Sequence, residues 1–218
     1  MTLIFAPEGT EAQTFCQVLG LDKHLDGPWM MYQGQVGRYS VVLLQTGVGK
    51  VAAAAAVAYA RQRFNPSQAF WVGVARALDP ELQPLDLIVA QDAVQSDVDL
   101  VGRAPGELAT GERFVAADAV LGSRVLRAAQ ALDFPARAGR IATADHLLTD
   151  PAEAKRVRET FSADAADMEG AAALWSAKKT GMPLALVRAI SDSAGTSETF
   201  LGAASQRLAE LGAKVLEG

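Results

Sequence analysis

Short apolar segments alternate with longer segments of helical periodicity along most of this chain, and this alternation constrains the fold more than any other feature. The pattern begins with TLIFA at residues 2–6, and apolar residues then recur at helical spacing over 8–20. Short apolar runs are typical of buried strands, and the intervening helices can cover both faces of the sheet that they form. The order therefore predicts an α/β fold, a three-layer αβα sandwich.

The same periodicities predict the remaining elements. We predict strands at residues 2–6, 69–75, 87–94, 137–144, 164–168 and 182–191. We predict helices at residues 8–20, 50–64, 115–132, 151–161, 169–180 and 198–216. A glycine-marked pair, MMYQGQ (30–35) and RYSVVLLQT (38–46), predicts a hairpin, which makes the central sheet mixed. Residues 95–113 have no clear period and are expected to form a loop. No linker or repeat divides the chain, so we expect a single domain over residues 1–218.

Composition excludes several classes of protein. Half of the 218 residues are hydrophobic, which is enough for a sizeable core, and the net charge of −5 disfavours nucleic-acid and anionic-membrane partners. The single cysteine, Cys16, cannot form an internal disulfide. The first residues lack the basic start of a signal peptide, and no apolar run approaches the ~18 residues of a membrane span. We expect a cytoplasmic protein.

Two familiar kinds of site are absent from the sequence. The segment TGVGKVAAA (46–54) suggests a phosphate loop, but Leu44 occupies the first glycine position of that motif and Val51 follows the lysine. Gly47 and Gly49 are therefore predicted to allow tight strand-to-helix packing. The two histidines and one cysteine show no zinc-like spacing, and we expect neither a metal nor a cofactor.

Acidic residues interrupt or follow apolar segments at four places. Glu11 follows the first strand, Asp167 and Glu169 open a helix, and Asp192 ends a strand. An acid at a helix start can simply offset the helix dipole, for about 0.3–1 kcal/mol, and Asp167 is expected to do no more than that. The carboxyl ends of parallel strands are where α/β proteins bind ligands. Together, Glu11, Glu169 and Asp192 therefore indicate a site.

Four motifs in order resemble the nucleoside phosphorylase and nucleosidase superfamily. They are QTGVGKVAAA (45–54), GVARALDPELQPLDLIVAQDAVQSDVD (73–99), ADMEGAAAL (166–174) and VRAISDSAG (187–195). The third is similar to the superfamily's E-M-E-[GA] signature and the fourth to its R-x-[IV]-S-D strand end. Within the superfamily, the chain most resembles the 5′-methylthioadenosine/S-adenosylhomocysteine nucleosidases, and this implies a phosphorylase/hydrolase-like fold.

The resemblance implies a role for each matching residue. Glu11 would activate the attacking water, Glu169 would accept hydrogen bonds from the ribose hydroxyls, and Asp192 would act as the acid at adenine N7. The substrate-binding positions implied by the resemblance are Met168, Arg188, Ser191, Leu148, Val74 and Phe200. It also implies a homodimer that hydrolyses the N-glycosidic bond to adenine with water as the nucleophile and without a cofactor.

The reaction explains why several acids are needed. A protonated carboxyl near N7 lets adenine leave neutral, and such a general acid contributes about 10²–10⁴ in rate. It must keep its proton near neutral pH, which a desolvated site permits. Phosphorylases of the resembled superfamily carry arginine in the N-terminal loop and on the middle strand. Here the loop APEGTEA (6–12) has no basic residue and Trp71 stands roughly where the strand arginine would be, so the resemblance implies hydrolysis rather than phosphorolysis.

Several positions depart from the resembled pattern, three of them in the segment GVARA (73–77). Val74 replaces a serine that helps to hold the water, and Arg76 and Ala77 replace two glycines near the purine, where a side chain could narrow the pocket. These departures leave other functions open: a hydrolase for futalosine or another purine nucleoside, a nucleoside phosphorylase, or a catalytically weak nucleoside-binding protein.

Overall fold

The computed structural model describes residues 1–26, 28–193 and 200–217. Within these residues, ten strands form one sheet and six helices pack around it. The strands are β1 (Thr2–Ala6), β2 (Asp22–Asp26), β3 (Trp29–Val36), β4 (Tyr39–Gln45), β5 (Gln68–Ala77), β6 (Leu87–Gln95), β7 (Val115–Ala116), β8 (Ala136–Thr143), β9 (Ala165–Asp167) and β10 (Leu184–Ser193). The helices are α1 (Gly9–Leu19), α2 (Lys50–Phe64), α3 (Ala119–Ala131), α4 (Pro151–Phe161), α5 (Gly170–Thr180) and α6 (Leu201–Glu217).

Strand β5 is the centre of the sheet. It lies parallel to β1 and β10 and antiparallel to the short β9. The path β5–β10–β6–β8–β9 returns to β5, so these five strands close a ring. On the other side, β1 continues through β4 and β3 to β2. The predicted mixed sheet is confirmed.

Helices cover both faces of the sheet, as predicted. Helices α2 and α5 pack in one apolar cluster with one face, and α1, α3 and α6 pack in a second cluster with the other face. Alanines such as Ala53, Ala56 and Ala171 are fully buried. Because these side chains are small, α2 and α5 approach the strands closely. The three-layer αβα sandwich is therefore confirmed.

Most predicted bounds lie within two residues of those in the structure, α3 differs by more, and the strands β2 and β7 were not predicted. Helices α2 and α4 have the predicted bounds, whereas α3 begins at Ala119, four residues later than predicted. The reason is that Val115 and Ala116 pair with β6, while the Asp118 carboxylate accepts hydrogen bonds from the first turn of α3. Strand β2 was not predicted because its residues, DKHLD, do not alternate. The predicted first residues of the last helix, 198 and 199, lie outside the described residues. In the described part of the chain, we find no helix long and apolar enough to span a membrane.

Candidate active site

A cleft lies where the parallel strands β1, β5 and β10 end. Seven of the nine predicted site residues line it: Glu11, Val74, Leu148, Met168, Glu169, Ser191 and Asp192. Its volume is about 120 Å³. Ligand pockets usually measure about 300–1,000 Å³, so this cleft is smaller than a usual ligand pocket. The predicted acids Glu11, Glu169 and Asp192 thus lie in one cleft at the strand ends.

The Glu11 carboxylate is held by two backbone donors. Its Oε2 accepts from the Glu8 N–H at 2.9 Å, and its Oε1 accepts from the Val74 N–H at 2.9 Å. Only 2% of Glu11 is exposed. Burial raises the pKa of Glu11, while the two N–H donors and the positive charge of Arg188 act in the opposite direction. Glu11 is thus a carboxyl that is fixed in position and whose pKa is raised by burial.

Arg188 lies beneath the cleft and is fully buried. Its Nε and Nη2 donate to Asp167 Oδ2 at 2.8 and 2.5 Å, and Nη2 also contacts Glu169 Oε2 at 3.4 Å. The strand neighbour of Arg188 is Gly73, whose missing side chain leaves the space that the guanidinium fills: a Cβ there would be 2.5 Å from Arg188 Nη1 and 3.2 Å from Glu11 Oε1. Nη1 has no hydrogen-bond partner among the described residues. An unused donor therefore lies beside Glu11.

Asp167 does more than offset a helix dipole, so the prediction for this residue was incomplete. Its Oδ2 does accept from the Gly170 N–H at the start of α5, at 2.9 Å. The same carboxylate also pairs with Arg188 and accepts from the Thr143 hydroxyl at 2.5 Å. Sequence reasoning missed this supporting role because Thr143 and Asp167 become neighbours only through the pairing of β8 and β9.

Glu169 is held from the opposite side of the cleft by the turn before α2. The Gly49 N–H donates to Glu169 Oε1 at 3.0 Å. Gly49 has a φ of 98°, which side chains rarely tolerate, so this glycine does more than permit packing. Burial raises the pKa of Glu169 to about 7, and Arg188 opposes the shift. Glu169 therefore titrates near neutral pH.

Asp192 forms an ion pair that the sequence did not reveal. Its Oδ1 accepts from the Ser191 hydroxyl at 2.6 Å, and its Oδ2 accepts from Arg76 Nε at 2.5 Å and from Arg76 Nη2. Arg76 Nη1 donates to the Leu148 carbonyl oxygen at 2.8 Å. Arg76 was expected only to narrow or fill a pocket. In the structure it lies directly on the acid predicted to act on the base.

Phe200, the last of the nine predicted site residues, is joined to Ser191 through the backbone. Its N–H donates to the Ser191 carbonyl at 2.8 Å, and it is not among the described residues that line the cleft. Among the described residues we find no group of three or more His, Cys, Asp or Glu side chains arranged to hold a metal ion.

Comparison with known proteins decides the family. The model of the phosphorylase superfamily matches residues 3–218. The chain belongs to the phosphorylase superfamily. Its relatives are nucleosidases, and this superfamily member is an N-glycosyl hydrolase.

The relatives of this hydrolase include two kinds of nucleosidase. An aminodeoxyfutalosine nucleosidase of Campylobacter jejuni is 33% identical over 78% of this chain and 75% of the relative. A 5′-methylthioadenosine/S-adenosylhomocysteine nucleosidase of Marinomonas sp. is 34% identical over 84% of each chain. The crystal structure of such a nucleosidase from C. jejuni superposes with a TM-score of 0.92, at 28% identity, covering 99% of this chain and 98% of that one. A futalosine hydrolase of Helicobacter pylori, 22% identical, shares the fold with a TM-score of 0.93 over 99% and 98% of the two chains.

Proposed function

We propose that this hydrolase releases adenine from a 5′-substituted adenine nucleoside, 5′-methylthioadenosine or S-adenosylhomocysteine, with water as the nucleophile. The observation that carries the proposal is the meeting of Glu11, Glu169 and Asp192 in one cleft. The names of the relatives at 32–34% identity support the substrate class.

Glu11 is proposed as the general base. Its pKa is raised by burial, and the unpartnered Nη1 of Arg188 lies beside it. A water between these groups would donate a proton to the carboxylate and accept from the guanidinium, which orients its lone pair toward C1′. Val74 contributes its backbone N–H to Glu11, so the serine that the family usually has at this position is not needed to fix the carboxylate.

Glu169 and Met168 are proposed to hold the ribose. Both line the cleft. Gly49 donates to Oε1 of Glu169 and Arg188 contacts Oε2, and each oxygen has a second lone pair that can accept from a sugar hydroxyl. As the bond to the base breaks, the sugar gains positive charge. The fixed carboxylate of Glu169 beside the sugar stabilises the positively charged transition state more than it stabilises the uncharged bound nucleoside.

Asp192 is proposed to protonate adenine at N7. The electron pair of the C1′–N9 bond then remains on a neutral base, and the Ser191 hydroxyl fixes the carboxyl through Oδ1. The Leu148 carbonyl oxygen and Asp192 both face the Arg76 guanidinium, so they are acceptors for the 6-amino group once Arg76 withdraws.

The decisive experiment is a panel of methylthioadenosine, adenosylhomocysteine, futalosine, inosine and adenosine, with the freed base read by chromatography. Release from none of them would favour a nucleoside-binding protein.

Activity should depend on pH in the range where Glu169 titrates. Because burial raises the pKa of Glu169 to about 7, this carboxylate gains a proton as the pH falls below neutral. Its ionised form is the active one, so kcat/KM should fall by about tenfold per pH unit below about pH 7. A profile of kcat/KM between pH 5 and 9, on protein shown to stay folded, tests this. A flat profile down to pH 5 contradicts the role assigned to Glu169.

Inorganic phosphate should not change the rate of base release. Arg76 is the arginine that lines the cleft, and its guanidinium is already paired with Asp192. The Asp192 carboxylate balances the charge of that guanidinium, so a phosphate dianion meets no net positive group among the described residues that line the cleft. The sugar product should be a free reducing sugar in buffers with and without phosphate. A sugar 1-phosphate in phosphate buffer would identify a phosphorylase instead.

We further propose a single-domain, cytoplasmic homodimer. The family match over residues 3–218 supports one catalytic domain. Exposed apolar side chains support a partner subunit near the cleft: Leu147 and Val48, which line it, are 65% and 46% exposed, and the neighbouring Val51 is 82% exposed. The free Cys16 thiol fits a reducing compartment. Sedimentation of the purified chain tests the dimer.

A further inference from the structure

Arg76 is the feature of the cleft that the proposed reaction does not use. Its side chain is only 17% exposed, and all of its nitrogens have partners, two on Asp192 Oδ2 and one on the Leu148 carbonyl. It thus occupies the two acceptors to which an adenine amino group would donate. The small free volume of the cleft agrees with this placement.

The position of Arg76 is built into the sheet. Arg76 on β5 is the direct register partner of Asp192 on β10, and the pairing is irregular between Ile190 and Asp192. A bulge of this kind re-aims the side chains that follow it. Arg76 is also paired with Ala166 on β9, so its backbone is fixed by strands on both sides. The sheet therefore fixes the backbone of Arg76, and the guanidinium is held in the cleft by Asp192 and the Leu148 carbonyl oxygen.

The guanidinium changes which purine edge is complementary to the cleft. It has only donors, and the amino group of adenine is also a donor, so the two compete for Asp192 and Leu148. A 6-oxopurine has acceptors at O6 and N7, the pair that arginine binds bidentately in nucleic acids. Such a base could bind while Arg76 keeps its partners.

We propose that Arg76 is a base-specificity residue that makes 6-oxopurine nucleosides a second substrate class, by donating to O6 and N7 of the base. This inference rests on the proposed function. Water bonds to C1′ and gives a proton to Glu11, while the C1′–N9 bond breaks and its electron pair stays on the base. The guanidinium stabilises the resulting base anion, which takes up a proton from solvent when it leaves.

The test compares two substrates that differ only at C6, 5′-methylthioinosine and 5′-methylthioadenosine. The wild type should release hypoxanthine as well as adenine. In Arg76→Met the ratio of kcat/KM for the 6-oxo substrate to that for the 6-amino substrate should fall by about tenfold or more, the discrimination of one bidentate contact. Arg76→Lys keeps the charge but loses the planar fork, so its ratio should fall as well. Arg127→Met, on the exposed face of α3, is the matched control and should keep the wild-type ratio.

Free-base binding gives a second readout that does not need turnover. By calorimetry, Arg76→Met should lose affinity for hypoxanthine and gain affinity for adenine. If the wild type releases adenine but no hypoxanthine, or if the ratio is unchanged in both Arg76 variants, the inference is overturned and the proposed function stands. If the wild type releases neither base, the proposed function itself is overturned.

Discussion

Glu11→Gln is expected to lower kcat by about 10²–10⁴, the contribution of one general acid or base. The amide has nearly the shape of the carboxyl but cannot take a proton from water. Its oxygen can still accept one of the two backbone N–H bonds that now come from Glu8 and Val74. Steady-state release of adenine from methylthioadenosine, together with a far-UV spectrum and a thermal melt, measures the effect on a folded protein.

Two comparisons make the Glu11 result specific. Glu210→Gln makes the same chemical change on the exposed surface of α6 and should leave kcat unchanged. The KM of Glu11→Gln should change much less than its kcat, because Glu11 acts on the water rather than on the nucleoside. A folded Glu11→Gln variant with kcat within about fivefold of wild type would contradict the role assigned to this residue.

Arg188→Met is expected to lower the free energy of unfolding by about 3–5 kcal/mol, the usual effect of removing one partner of a buried ion pair. Methionine fills much of the same volume, but the Asp167 carboxylate would then stay buried without a counter-charge. Asp167 and Arg188 are both nearly inaccessible to solvent, so water cannot replace the lost donors. Urea unfolding followed by tryptophan fluorescence measures the change.

A double variant separates charge from packing. Asp167→Asn combined with Arg188→Met removes both charges, and we expect it to be more stable than Arg188→Met alone. Arg127→Met is again the surface control and should change stability by less than about 0.5 kcal/mol. If Arg188→Met lowered the free energy of unfolding by less than about 1 kcal/mol, the ion pair between Arg188 and Asp167 would not be a major contributor to stability.

The predicted elements and the predicted acids depended on different kinds of signal. Helices α2 and α4 were predicted to the residue because the signals that end or begin them are local. Asn65 takes the left-handed conformation at the end of α2, and Asp150 with Pro151 begins α4. Strand β2 was missed because its register on β3, rather than any period of its own, makes it a strand. Glu11, Glu169 and Asp192 were found from ordered motifs and from the strand-end rule.

The sequence by itself determined the α/β class, the layers of helices and the three acids of the cleft, because periodicity, capping and motif order are properties of short segments. Only the tertiary structure decided which charges meet. Arg76 binds Asp192 because β5 and β10 align in a particular register, and Arg188 reaches Asp167 because Gly73 leaves it space. Arg76 and Asp192 are 116 positions apart in the chain, and Asp167 and Arg188 are 21 apart. Each pair meets only in the folded sheet. A local sequence pattern carries no information on the register between distant strands. The contact of Arg76 with Asp192, on which the proposed base specificity rests, was therefore found only in the tertiary structure.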